Sequence, residues 1–165
     1  FFQNCDVVTF EWENVPVGPL KAASFNTPLF PPISALDIAQ NRIAEKNFAR
    51  EHDGKTAPFA EVTNLSSLES AIDEVGPPAI LKTIRMGYDG KGQARIKAGD
   101  DLNAHWRSVA EQACVAEGFV TFSHEFSVIL VRAQDGEIRF WENGELSDDS
   151  WEGIWSWAEE VWMHS

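Results

Sequence analysis

The sequence is poor in positive charge: 13 Lys and Arg stand against 26 Asp and Glu, a formal net charge of −13 over 165 residues. Binding a nucleic-acid backbone needs clustered cations that neutralise phosphates, so this balance argues against such a partner. A free nucleotide is not excluded, since it requires only a few local cations and backbone N–H groups. Cysteine is equally scarce. Cys5 and Cys114 lie far apart in a chain long enough not to need covalent stapling, which favours reduced thiols and a cytoplasmic setting. Long apolar runs are missing too: the richest, 126–131, is far too short to span a bilayer, and no basic segment followed by an apolar one opens the chain. Neither membrane insertion nor export is indicated. His52, His105, His124 and His164 show no paired ligand spacing, and no serine sits in a nucleophile elbow. Neither a metal site nor a hydrolase triad is expected.

What is present is enough apolar bulk for one folded domain. Hydrophobic residues make up 44%, with 11 Phe and 7 Trp to offset the entropy of ordering the chain. The acid is unevenly spread, because 142–165 holds seven Asp and Glu and no Lys or Arg.

The run at 6–11 is β-branched and aromatic, and it reads as a strand whose sheet partners lie upstream, so the chain is expected to begin within a larger protein. Pro16, Pro19, Pro28, Pro31 and Pro32 then mark a connection. Strong helix formers fill 34–52, with Ser34 placed to cap and Ala35, Ile38, Ala39 and Ile43 on one face. A strand is expected over 56–62. A second helix follows at 66–75, capped by Ser66 or Ser67 and stopped by Gly76, Pro77 and Pro78. Strands are expected at 79–83 and 93–98, a third helix at 100–112, and strands at 114–117, 125–133 and 137–141, the last two joined through the turn pair Asp135-Gly136. Strands that return on themselves between helices predict an α+β fold, a mainly antiparallel layer with helices on one face.

Gly87-Tyr88-Asp89-Gly90-Lys91-Gly92-Gln93 is the first stretch with chemistry in it. Three glycines in six residues let the backbone approach a ligand closely, and Lys91 with Lys82 offers positive charge to an anion. The loop fails the Walker pattern, because Gly92 follows Lys91 where Ser or Thr is required, and it fails the dinucleotide pattern for want of a third glycine at Arg95. Taken alone it is as compatible with a solvated hairpin turn as with a phosphate site.

The wider run is more telling. Ile80-Leu81-Lys82-Thr83 followed by that loop is similar to the strand and phosphate loop of the ATP-grasp superfamily, and the wording Tyr-Asp-Gly-Lys-Gly-Gln resembles its N5-carboxyaminoimidazole ribonucleotide synthetase branch. The branch usually has a further glycine where this sequence has Met86. The resemblance covers about 6–141. It implies an ATP site in which Lys82 and Gly87, Tyr88, Asp89, Gly90, Lys91, Gly92 and Gln93 bind phosphates. It also implies that Arg42 contacts phosphates, that Glu117, Gly118, Phe119 and Val120 form the hinge that meets adenine, and that Glu125 holds the ribose. A carboxylate accepting from two vicinal hydroxyls makes charge-assisted bonds, and Phe126, Val128 and Leu130 would wall the base. Without the resemblance, Glu125 reads as a surface acid on a half-buried strand and Arg42 as a helix-surface cation.

By the same resemblance, 1–33 is the end of a preceding substrate-binding domain with its linker, and 34–141 is the first part of the ATP-grasp domain, mainly its small lid subdomain. The tail 142–165, with Trp151, Trp155, Trp157 and Trp162, departs from the family after Glu142-Asn143. It reads either as an amphipathic helix or as an artefact of truncation. The implied reaction is the ATP-dependent carboxylation of aminoimidazole ribonucleotide with bicarbonate in purine biosynthesis, by a homodimer. Its magnesium ligands fall beyond Trp141, so no catalytic residue is expected in this chain and the chain alone is expected not to turn over. Two other readings stay open: a different ATP-grasp ligase, of the formate-dependent transformylase or biotin carboxylase type, and a non-catalytic adenine-nucleotide-binding module.

Overall fold

Four short strands that alternate buried and half-buried positions assemble the central sheet. In the computed structural model, which describes residues 4–23, 27–86, 92–122 and 129–141, these are β1 (Phe59–Val62), β2 (Ala79–Thr83), β3 (Gln93–Ile96) and β4 (Cys114–Gly118), in the order β1-β4-β2-β3. Every pairing is antiparallel. Two compact units divide the chain, Phe1–Val120 and Thr121–Ser165. The second contains an antiparallel hairpin of β5 (Ile129–Arg132) and β6 (Ile138–Trp141), turned at Gly136 with φ +93° as the Asp135-Gly136 pair predicts.

One face of the four-stranded sheet forms the main core. Val62, Leu81, Ile96, Cys114 and Ala116 are wholly buried there, packed with the buried Leu68, Ala71 and Ile72 of α4 (Leu65–Val75) and with Trp106 of α5 (Leu102–Ser108), which keeps a small exposed edge. Asn64 caps α4, its side chain accepting from the Ser67 N–H at 2.9 Å while the Ser67 hydroxyl accepts from the Asn64 N–H at 3.0 Å. Ser67 therefore serves as the third residue of a capping box rather than as the cap. Gly76, at φ +76°, ends the helix as expected. Asp101 caps α5, and the helix stops at Ser108, short of the expected 112, because Ala110 and Glu111 adopt positive φ.

Two expectations nearer the N-terminus fail. The run at 6–11 makes a single parallel bridge, Val8 to Leu29, because Pro28, Pro31 and Pro32 around its partner lack the N–H groups that a ladder needs. The helix expected over 34–52 is two helices, α2 (Ile33–Ala39) and α3 (Arg42–Glu51). Asn41 breaks it: its backbone is extended, and its side chain accepts from the N–H groups of Ile43 at 3.0 Å and Ala44 at 3.2 Å. Ser34 does not cap α2, since Pro32 occupies that position without a side-chain bond. The expected apolar face shifts as a result, so Leu36 is the buried residue of α2 while Ala35 and Ala39 are exposed.

A third helix in this region, α1 (Val17–Ala23), lies where the prolines suggested only a connection. Pro19 sits in its first turn, where a missing N–H is harmless. Leu20, Leu29 and Leu36 form a small second core, drawing on residues either side of the boundary expected at 33/34. Cys5 and Cys114 are not disulfide-bonded. Among the described residues, no helix is long and apolar enough to cross a membrane.

Candidate functional site

The sheet face opposite the main core carries the charged groups. Paired residues of antiparallel strands share a face, so the register puts Phe59, Glu117, Ile80 and Arg95 in one row across β1, β4, β2 and β3, and Glu61, Val115, Lys82 and Gln93 in the next. Glu117 and Lys82 are thereby diagonal neighbours. The Lys82 Nζ donates to Glu117 Oε2 at 3.0 Å.

A second cation reaches the same carboxylate from outside the sheet. Lys46 of α3 sets its Nζ 3.3 Å from Glu117 Oε1 and 5.6 Å from the centre of the Phe59 ring. Arg42, Lys46 and Arg50 follow one another at four-residue spacing and so share one side of α3. Arg42 Nη1 donates to the Thr83 carbonyl at 2.9 Å, at the end of β2, and its backbone N–H donates to the Ile84 carbonyl at 3.1 Å. Arg50 stacks its guanidinium 4.1 Å over the Phe59 ring and donates through Nε to Thr56 Oγ1 at 2.8 Å. The Asn41 cap that splits the expected long helix starts the helix that carries this stripe.

Glu117 is 7% exposed, so its charge has left most of its water. A buried carboxylate stripped of its partner costs about 3–5 kcal/mol, and here two ammonium groups divide its two oxygens between them. The trio of Lys46, Lys82 and Glu117 carries one net positive charge on a chain of net charge −13. An anion arriving here meets a local field opposite in sign to that of the whole molecule.

The mouth of the β2–β3 hairpin adjoins this cluster. The Thr83 N–H donates to the Gly92 carbonyl at 2.8 Å. Gly92 has φ +67°, and a Cβ there would lie 2.7 Å from Thr83 Oγ1, so any other residue would be strained and would push against the Thr83 side chain. Met86, three residues past the end of β2, also holds a left-handed φ of +65°, at the position where the sequence resemblance has glycine. Gly87, Tyr88, Asp89, Gly90 and Lys91 lie outside the described residues, as does Glu125.

At the end of β4 the hinge segment leaves the sheet. The Gly118 N–H donates to the Pro58 carbonyl at 2.8 Å and the Phe119 N–H to the Pro78 carbonyl at 3.0 Å. Both donors are therefore committed to the protein, and among the described residues the Val120 N–H is the hinge donor without a backbone partner. Arg95 places its guanidinium 4.2 Å over the Phe119 ring, fixing the hinge from the β3 side. Among the described residues no three His, Cys, Asp or Glu side chains converge, so the magnesium that the resemblance implies has no ligand set there.

Of the residues singled out in the sequence, the structure brings together Arg42, Lys82, Gly92, Gln93, Glu117, Gly118, Phe119 and Val120. It adds Lys46. The four-residue repeat through 42, 46 and 50 was the signal for it, and it is cryptic because lysine on a helix ordinarily means solvent.

Comparison with known proteins bears on the fold and the family. A family model described as the ATP-grasp domain matches residues 47–162. N5-carboxyaminoimidazole ribonucleotide synthase of Pseudomonas aeruginosa is 39% identical over 145 residues, covering 88% of this chain and 40% of that protein. The crystal structure of N5-carboxyaminoimidazole ribonucleotide synthetase from Thermus thermophilus superposes with a TM-score of 0.77 at 35% identity, over 86% of this chain and 38% of that one. The Staphylococcus aureus N5-carboxyaminoimidazole synthetase structure, complexed with ADP, gives a TM-score of 0.80 at 27% identity, over 92% of this chain and 45% of that one. The chain thus spans about two fifths of the length of these relatives. With an antiparallel α+β sheet, a glycine hairpin beside a strand lysine and a family model matched over most of its length, the chain belongs to the ATP-grasp family.

Proposed function

We propose that this chain supplies the adenine-nucleotide site of an ATP-dependent ligase that carboxylates aminoimidazole ribonucleotide. The observation that carries the reading is the buried Glu117 carboxylate held by Lys82 beside the glycine hairpin, with the Val120 N–H at the hinge. The ADP bound by the Staphylococcus aureus relative supports it. Lys82 would give its ammonium to the phosphates, joined by Arg42 and by the 87–93 loop. Glu117 and the hinge through Val120 would meet the adenine edge, and Glu125, by resemblance alone, the ribose.

In the reaction so proposed, the γ-phosphoryl group passes to bicarbonate, and the substrate amine then attacks the carboxyl carbon of carboxyphosphate and expels phosphate. Lysine charge and magnesium stabilise the phosphoryl oxygens during such a transfer. On this reading the magnesium ligands lie outside 1–141, with 34–141 the first part of the ATP-grasp domain, and the chain alone does not turn over. A cytoplasmic homodimer completes the proposal.

Calorimetric titration with ATP tests it. Lys82→Met removes a charge-assisted contact and is expected to weaken binding by about tenfold or more. Equal affinity in the variant would contradict the assignment.

A further inference from the structure

The Lys46 side chain has no place in the sequence resemblance, yet it makes one of the two contacts that hold Glu117. Its Nζ lies 3.3 Å from Glu117 Oε1, and its side chain is 18% exposed, less than the 27% of Lys82. The two lysines approach from different elements, Lys46 from α3 and Lys82 from β2, and each takes a different carboxylate oxygen. This division matters because Lys82 has two partners to serve. If Lys82 were the sole counter-ion of a buried carboxylate, turning its ammonium toward a phosphate would leave that carboxylate buried and unpaired, at a large cost.

We propose that Lys46 is a positioning residue, the standing counter-ion of Glu117, which leaves Lys82 free to engage the polyphosphate of a nucleotide while Glu117 stays in place at the base. Lys46 itself touches neither base nor phosphate. Its Nζ sits over the Phe59 ring and its stem runs along α3, whose cap and neighbouring Arg42 fix the helix against the end of β2. Removing the Lys46 charge makes Lys82 and Glu117 an exclusive pair, so the loss falls on phosphate recognition rather than on nucleoside recognition. The inference rests on the nucleotide site proposed above.

The test compares ATP with adenosine, by calorimetry on the full 165-residue chain. Wild type is expected to prefer ATP. In Lys46→Met the ratio of adenosine to ATP dissociation constants is expected to fall about tenfold, with adenosine affinity little changed. Lys46→Arg keeps the charge and retains the ratio. Lys46→Met combined with Glu117→Gln releases Lys82 from its pair and regains the ratio, which a merely structural role for Lys46 does not produce. Circular dichroism checks the fold of each variant, and Lys46→Gln carries the comparison if the methionine variant does not fold. Equal losses for both ligands, or no recovery in the double variant, would overturn the role of Lys46 while leaving the nucleotide site standing. Failure of wild type to bind either ligand would overturn both.

Discussion

At the scale of single residues, the sequence was most legible where backbone conformation and local space together favour one residue type. Gly92 is such a position, with its positive φ and its 2.7 Å approach to Thr83 Oγ1. Lys82 and Glu117 were legible through their motif, but their mutual bond was not, because it depends on the strand register. Lys46 showed only as one member of the four-residue repeat with Arg42 and Arg50, and its pairing with Glu117 was not legible because that partner is distant in sequence and lies on another element. Cys114 shows how burial alone changes chemistry. It is fully buried, and desolvation pushes its thiol from 9.0 up to about 11. Because the folded value lies above the unfolded one, the stability from keeping this thiol neutral is complete below pH 9.0 and is lost as pH rises toward about 11. At a pH of about 8, just below the ordinary thiol range, a thiol reagent is expected to modify Cys5 in the native protein and Cys114 only after denaturant is added. Rapid native labelling of Cys114 would contradict its burial.

At the scale of elements, the strands and the helix at 65–75 followed closely from alternation, capping residues and glycine stops. The N-terminal third did not. There Asn41 outweighed a continuous helical pattern by capping a new helix, and prolines reduced an apparent strand to one bridge. The β2–β3 hairpin yields a paired prediction of opposite sign. Gly92→Ala forces a methyl group against Thr83 in a left-handed conformation and is expected to cost about 2 kcal/mol. Met86→Gly relieves a left-handed φ of +65° at an exposed side chain and is expected to stabilise by up to about 1 kcal/mol, less the entropy that glycine adds to the unfolded chain. Urea denaturation measures both, and a stabilising Gly92→Ala would show the mouth of the hairpin to be built differently.

At the scale of the whole molecule, the charge balance pointed away from polyanions, yet the site gathers Arg42, Lys46, Lys82 and Arg95, with the two lysines paired to one buried carboxylate. Net charge describes the long-range field, and the site is a local exception within it. The family could be read from the motif, and the sheet topology and the relatives agree with it. Helices on one face were expected, but no residue pattern conveyed that the face opposite Leu68, Leu81 and Trp106 is given to the ions. The most direct test of the account is a crystal structure with a non-hydrolysable ATP analogue. The expected result has phosphate oxygens within hydrogen-bond reach of Lys82 Nζ, the adenine edge at Glu117 and the Val120 N–H, and Lys46 still on Glu117. An analogue bound away from this face, with Lys82 untouched, would contradict the account.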